Sequence, residues 1–279
     1  MKEVFSMWKY TRMIILVALS AAIYAAFLIV FKAGIPIVPG ITEVRPANVF
    51  PPVFSLLFGP AGAWGAAIGN LIGDLFGGTL GIGSIFGFVG NFFLGFIPYK
   101  LWGSLFGLVP SNNMAQTTNT GKKLIAFEIA ALVAAAACGI TIGWYLDLAK
   151  IVPFAFLAIA ITVNNFAAAF ILGPILLTLL YPRVKRWGLI WTDIMKKEDV
   201  AKGFGKGLGS ILMIVGSLGG LIIGVMVALG VSGQKLFGFA GDKGNTAVWL
   251  AVLPFLALVL VASLMLSGRE QFVEDKDED

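Results

Sequence analysis

The sequence contains no histidine and a single cysteine, Cys138. Histidine is the commonest general base and the commonest metal ligand, so its absence argues against both kinds of site. One cysteine excludes an internal disulfide, and the compartment must therefore be inferred from membrane topology. No Walker sequence occurs, so any use of ATP would require a partner. We expect a protein that is not an enzyme and that holds no metal or cofactor.

Charged residues are also scarce. They make up 13% of the chain while hydrophobic residues make up 58%, against about 25% and about 45–50% in soluble domains. Long apolar runs recur along the chain, which predicts an all-α polytopic membrane protein. The first run has about 19 residues and is too long for the apolar region of a signal peptide, so it is interpreted as a membrane helix. Basic residues cluster between the runs, which indicates membrane orientation rather than nucleic-acid binding.

The apolar runs predict eight membrane segments. We expect residues 1–186 to form one membrane domain, followed by a basic cytoplasmic connector at 187–207. Two further transmembrane helices would follow within 208–266, and an acidic cytoplasmic tail would occupy 267–279. The predicted segments are about 13–32, 48–59, 60–77, 84–103, 124–147, 153–181, 208–230 and 246–266.

The apolar stretch 48–77 is too long for one membrane helix. Its length as a helix would be about 45 Å, against a hydrocarbon core of about 30 Å. Pro60 lacks a backbone donor and disfavours helical geometry at Gly59, so a turn is expected there. With a turn, both termini are cytoplasmic, and fifteen Lys and Arg residues lie inside against five outside. Without it the division is fourteen against six, but the basic N-terminal flank is then exported, which is unusual.

Two polar residues, Asn70 and Asp74, lie one helical turn apart in the 60–77 segment. Gly65, Gly69 and Gly73 recur beside them at four-residue spacing, which predicts a face for close helix contact. Asn70 and Asp74 have two interpretations. In the first, which is slightly favoured, they bond to a neighbouring helix and place a carboxylate at the membrane interface. In the second, they bind a ligand directly.

A resemblance to a known family rests on the order of several motifs. A basic N-terminus precedes a helix with spaced alanines, a proline-containing loop, and a short helix that ends in LLFGPAGAWGAAIGNLIGDLF. A later helix carries paired asparagines and closes on ILGPILLTLLYPRV. This order resembles the substrate-binding S components of energy-coupling factor (ECF) vitamin transporters, over residues 13–186 or so. It implies a six-helix S-component-like bundle that holds a vitamin or related micronutrient in a pocket open to the outside. It also implies two kinds of partner, a membrane coupling subunit and two ATPase subunits.

The two C-terminal helices depart from the family pattern, because typical S components end after six helices. They are either a family-specific extension or an added docking element.

In S components a stripe of alanines on the first helix docks on the coupling subunit. Two such stripes occur here, and internal packing is the alternative for each; they consist of Ala18, Ala22 and Ala26, and of Ala21 and Ala25.

The resemblance also assigns the substrate pocket. Loop 33–48 would cover it, with Glu43, Arg45 and Asn48 supplying polar contacts. The outer halves of the fourth, fifth and sixth helices would line it, through Asn91, Thr141, Trp144, Tyr145, Asn164 and Asn165.

The paired asparagines are the strongest local signal in the chain. Adjacent helical side chains point about 100° apart, so one can face the bundle while the other bonds a neighbouring helix. Amides both donate and accept, which suits a neutral heterocyclic substrate. Trp144 and Tyr145 would stack on that substrate, or would belong to the aromatic belt at the membrane interface.

Other classes of protein fit the sequence less well. A stand-alone ion-coupled carrier commonly has two related halves with broken helices, and no convincing repeat relates 13–147 to 153–266. A membrane sensor would need a signalling domain, and 13 residues follow Leu266. An intramembrane aspartyl protease would need a second aspartate besides Asp74, and Asp147 lies at a helix end. We therefore expect a high-affinity micronutrient-binding subunit of the cell membrane, with both termini cytoplasmic and no nucleic-acid partner.

The topology can be tested by cysteine labelling. With a cytoplasmic turn at Gly59, Lys2→Cys and Asn119→Cys should both be protected from an impermeant reagent added to intact cells. Labelling of Lys2→Cys alone would instead support the seven-segment arrangement.

Overall fold

A computed structural model describes residues 1–32, 36–38, 42–43, 45–106, 120–230 and 243–272. This part of the chain is almost entirely helical, apart from a short antiparallel pair formed by β1 (Pro36–Val38) and β2 (Thr42–Glu43). A π-helical turn, Val215–Gly219, joins two helices into one rod. The helices are α1 (Lys2–Ser6), α2 (Thr11–Lys32), α3 (Phe50–Phe58), α4 (Pro60–Phe76), α5 (Gly83–Phe106), α6 (Thr120–Leu148), α7 (Phe154–Arg186), α8 (Trp191–Ile194), α9 (Lys206–Ile214), α10 (Gly220–Ala228) and α11 (Thr246–Met265).

The predicted fold class, an all-α polytopic membrane protein, is confirmed. Within the described residues, six helical segments are long and apolar enough to cross a membrane: α2, α5, α6, α7, the α9–α10 rod and α11. The shorter helices α3 and α4 lie beside α2 and α5, the first two of these segments. Both described ends of the chain lie at one end of the bundle, since α1 and the residues after α11 contact the same part of α5.

The chain turns back between α3 and α4. Gly59 has a φ of 54°, in the left-handed region that glycine adopts without strain. Pro60 follows at the first position of α4, where its missing N–H costs nothing. The two helices lie side by side, because a Cβ added to Gly62 would be 2.5 Å from the carbonyl oxygen of Phe54. Residues 51–58 are all buried, so other parts of the protein surround this short helix in place of lipid.

The glycine stripe of α4 packs directly against α2. A Cβ added to Gly65 would overlap the Cβ of Ser20, and one added to Gly69 would lie 2.9 Å from the carbonyl oxygen of Ala21. No side chain fits at either position, so the two backbones approach closely. Ala21 and Ala25 are buried at this same interface. Their stripe is therefore an internal packing face.

The end of the bundle that carries the chain ends is closed by a buried ion pair. Glu3 and Lys100 pair with each other, and both side chains are fully buried. Glu3 also accepts from the backbone N–H of Ala201, at 3.3 Å, and Lys100 donates to the carbonyl oxygen of Leu266, at 3.1 Å. Burial acts to raise the pKa of Glu3, but the Lys100 ammonium and the N-terminal amine outweigh it and hold that pKa below its usual value. This ion-pair clamp links α1, α5, the connector and the end of α11.

The basic connector packs on the bundle through one aromatic residue. Trp191 in α8 is fully buried, with ring centroids 5.8 Å from Tyr99 and 5.3 Å from Phe272. Its ring also occupies the space beside Gly59, where an added Cβ would lie 2.6 Å from Trp191 Cγ. The short helix α8 thus covers the α3–α4 turn.

The two C-terminal helices pack closely on each other and on the rest of the bundle. A Cβ added to Gly216 would lie 2.9 Å from Val259 on α11, and one added to Gly224 would lie 2.5 Å from Phe154 on α7. The hydroxyl of Ser210 on α9 donates to that of Ser104 on α5, at 3.1 Å. These helices therefore lie against α5, α6 and α7, whereas α2 packs mainly on α4.

The α2–α4 contact predicts a cost for adding a single methyl group. Gly65→Ala should lower the melting temperature of the detergent-solubilised protein, since overpacking costs about 1–3 kcal/mol. The matched control is Gly207→Ala in α9, where an added Cβ meets no described atom within 4 Å. Alanine there should leave stability unchanged or raise it, because alanine is the better helix former. Equal melting temperatures for wild type and Gly65→Ala would contradict the close contact.

Candidate functional site

A cavity of about 270 Å³ lies at the end of the bundle opposite the ion-pair clamp. The ends of α4 and α6 and the beginnings of α5 and α7 surround it, together with the segment just before α3. Its polar lining consists of Arg45, Asn48, Asn70, Asp74, Thr79, Ser84, Asn91 and Asn165. Apolar side chains of α6, α7 and the loops beside them, and the thiol of Cys138, form the rest of the wall. The volume is near the lower end of small-molecule pockets, which have roughly 300–1,000 Å³.

One buried hydroxyl joins two of the amides that line the cavity. The Oη of Tyr24 lies 2.8 Å from Oδ1 of Asn48 and 2.8 Å from Oδ1 of Asn91. Asn48 in turn donates from Nδ2 to Oδ1 of Asn165. Asn91 donates from Nδ2 to the carbonyl oxygen of Gly87, at 2.8 Å. This amide network connects α2, α5, α7 and the turn before α3, and its amides are almost fully buried.

A carboxylate and an amide from α4 line another part of the cavity. Asn70 donates from Nδ2 to Oδ2 of Asp74, at 3.2 Å, and the hydroxyl of Thr79 lies 3.4 Å from Oδ1 of Asp74. A Cβ added to Gly87 would lie 3.0 Å from Nδ2 of Asn70, so α5 passes close to these groups and a larger residue there would displace the amide. Asn70 and Asp74 therefore line the cavity.

The two adjacent asparagines of α7 have different surroundings. Asn165 lines the cavity and is buried. Asn164 lies outside the lining and is half-buried, and its Oδ1 accepts from the backbone N–H of Arg45, at 3.1 Å. Asn164 thus holds the chain beside the cavity.

The predicted loop over the pocket is described only in part. Glu43 lies in β2, and residues 33–35, 39–41 and 44 of this loop lie outside the described residues.

Three predicted residues of α6 are not brought to the cavity. The hydroxyl of Thr141 donates to the carbonyl oxygen of Ala137 in its own helix, at 2.7 Å. Trp144 donates to the carbonyl oxygen of Trp249 on α11, at 3.3 Å. The ring of Tyr145 stacks on Phe86, with centroids 3.6 Å apart. The face of α6 that lines the cavity is a different one, formed at four-residue spacing by Cys138, Ile142 and Leu146.

Several residues of the site were not predicted from the sequence, among them three with an identifiable role. Tyr24 carries the bridging hydroxyl, Cys138 contributes its thiol, and Gly87 permits the approach of α5 to Asn70. A signal for Tyr24 was available, because it lies three residues after Ala21 and so on the face of α2 that meets the glycine stripe. Among the described residues, no group of three or more acidic or cysteine side chains is placed to hold a metal ion.

The second alanine stripe of α2 faces outward. Ala18, Ala22 and Ala26 are exposed on the side of the helix away from α4. Large exposed side chains, among them Leu19 and Phe27, flank them. The result is a shallow apolar surface on the helix whose other face carries Tyr24.

A membrane-embedded helical bundle with a small, polar, mostly uncharged cavity at one end defines a class: a membrane protein that binds a small solute. Its family follows from comparison with known proteins. The sequence model of the QueT transporter family matches residues 14–182, so the chain belongs to that family. This membership confirms the resemblance to S components, the substrate-binding components of micronutrient transporters. The matched range ends within α7, before the last two membrane helices. No curated protein and no solved structure matches the chain.

Proposed function

We propose that this protein is the binding subunit of an ECF transporter that takes up a queuosine precursor, the solute associated with the family. The observation that carries the proposal is the cavity of about 270 Å³ lined by four asparagine amides, one aspartate and one arginine. In a chain of the QueT family, that lining has the chemistry which a modified purine-like base requires.

Queuosine is built on a 7-deazaguanine ring, whose edge carries adjacent N–H donors and a carbonyl acceptor. A carboxylate such as Asp74 can accept from two adjacent N–H groups. The amides of Asn48, Asn91 and Asn165 can donate to the carbonyl and accept from the remaining donors. The apolar wall formed by Ile142, Ile161 and their neighbours would contact the faces of the ring.

Partner subunits and orientation belong to the same proposal. The exposed stripe formed by Ala18, Ala22 and Ala26 supports docking of α2 on a coupling subunit, since small residues allow two helices to approach closely. Two partner ATPases would then power uptake. The basic charge between segments favours cytoplasmic termini, which directs the cavity toward the outside of the cell.

Ligand binding tests the substrate assignment. The purified protein should bind 7-aminomethyl-7-deazaguanine, a queuosine precursor base, as measured by calorimetry. Asn91→Ala and Asn165→Ala should each weaken binding roughly five- to 150-fold, because a ligand group left unpaired costs about 1–3 kcal/mol. Asn164→Ala is the matched control. It should change affinity by less than about threefold, since Asn164 bonds to the Arg45 backbone and such bonds in membrane proteins are modest.

Two outcomes would contradict the assignment. Absence of binding by a folded wild-type protein would exclude this class of substrate. Unchanged affinity in both Asn91→Ala and Asn165→Ala would place the ligand elsewhere. Melting temperatures of all variants must be measured beside the affinities, so that unfolding is not mistaken for a lost contact.

Docking is tested separately on the outer face of α2. Ala22→Trp should abolish co-purification with a coupling subunit and block uptake, because a large ring prevents close helix contact. Substrate binding by the isolated protein should remain. Val163→Trp is the control, since Val163 is an exposed apolar residue on α7; it should leave both properties intact. Equal loss of substrate binding and co-purification in Ala22→Trp would refute a docking role.

A further inference from the structure

We propose that Tyr24 is a positioning residue of the cavity, whose hydroxyl orients the amides of Asn48 and Asn91 toward the ligand. The inference rests on the proposed function, because it concerns the same cavity. It assigns to α2 a role in substrate recognition in addition to its packing on α4.

The geometry makes this role indirect. Among the described residues, α2 contributes no side chain to the cavity lining. Its link to the site is the buried Tyr24 hydroxyl, which contacts two lining amides on separate elements, Asn48 before α3 and Asn91 on α5. Tyr24 is 1% exposed, so bulk water does not substitute for this contact.

Each bridged amide donates from Nδ2 and has the Tyr24 hydroxyl beside its Oδ1. For Asn91, the Tyr24 hydroxyl contacts Oδ1, and the Gly87 carbonyl oxygen accepts from Nδ2. For Asn48, the same hydroxyl contacts Oδ1, and Asn165 accepts from Nδ2. The terminal torsion of asparagine is otherwise broad. The amide whose Oδ1 accepts the phenolic proton is therefore fixed at two points, and the other is held through its Nδ2 with its Oδ1 beside the same hydroxyl.

The bridge leaves acceptor capacity for a ligand. A phenol carries one proton, while each amide oxygen has two lone pairs. One Oδ1 accepts that proton and keeps a second lone pair, the other keeps both of its lone pairs, and both amides line the cavity. The ligand meets oxygens that are already oriented, which lowers the entropy cost of ordering side chains on binding. The amide oxygens can therefore accept hydrogen bonds from N–H donors of the ligand.

Removal of the hydroxyl alone tests the role. Tyr24→Phe should weaken binding of 7-aminomethyl-7-deazaguanine roughly three- to tenfold, the effect of one hydrogen-bond contribution. Tyr99→Phe is the matched control. Tyr99 is equally buried, and its hydroxyl has no hydrogen-bond partner within the described part of the chain. Its removal should leave affinity unchanged.

A double-mutant cycle separates positioning from general stability. If Tyr24 acts through Asn91, the penalty of Tyr24→Phe should shrink in an Asn91→Ala background, because the amide that it orients is absent. The same cycle with Asn48→Ala supplies a second, independent variant. A merely structural role would give the same penalty in every background and would lower the melting temperature in parallel.

The outcomes distinguish this inference from the proposed function. Wild-type affinity in Tyr24→Phe, or an undiminished penalty in both double mutants, would overturn the positioning role. If Asn91→Ala weakens binding while Tyr24→Phe does not, the cavity assignment stands and the Tyr24 inference fails. If the wild type does not bind the probe, the proposed function fails first.

Discussion

The close approach of the backbones of α2, α4 and α5 is the constraint on which the rest of the structure depends. Lipid tails are as apolar as leucine, so helices in a membrane gain little from hydrophobic burial and associate through tight packing and hydrogen bonds. Gly65 and Gly69 provide that packing between α4 and α2, and Gly95 provides it between α5 and α4, where an added Cβ would lie 2.9 Å from Cα of Ala63. The same approach brings Asn70 and Asn91 into one cavity. The polar groups are tolerated in an apolar bundle because tight packing places partners within their reach.

The sequence predicts the parts of this arrangement that local chemistry determines. Segment lengths, the Gly59-Pro60 dipeptide and the four-residue glycine spacing led to the helical fold, the turn and a close-contact face on the segment that forms α4, but they did not identify α2 as its partner. The rotational position of a helix is not local. Trp144 was a candidate for stacking on the substrate, but its position is determined by Trp249 on α11. An apolar helix such as α6 carries no polar stripe that would indicate which face meets the cavity. The role of Tyr24 is not local either, since its partners are 24 and 67 residues away along the chain.

The two faces of α2 have different chemical tasks. Ala21, Ala25 and Tyr24 face inward, where they meet α4 and the amide network, while Ala22 and its equivalents one turn away face outward. The two C-terminal helices lie against α5, α6 and α7. They enlarge the bundle around α6 and α7, and the stripe of α2 stays exposed. An extension beyond the matched family range is thus accommodated where it does not cover the surface proposed for docking.

The ion-pair clamp has a consequence for the order in which the protein is made. Glu3 and Lys100 can meet once the first five helices exist, but the carbonyl oxygen of Leu266 that also binds Lys100 lies 166 residues further along. At about 5–20 residues per second, a ribosome needs roughly 10–30 s to synthesise that distance. During this interval the buried ammonium lacks one of its acceptors, and the turn at Gly59 lacks the C-terminal residues that pack with Trp191 over it. The residues after α11 therefore complete a contact whose other partners, Glu3 and Lys100, are synthesised well before them.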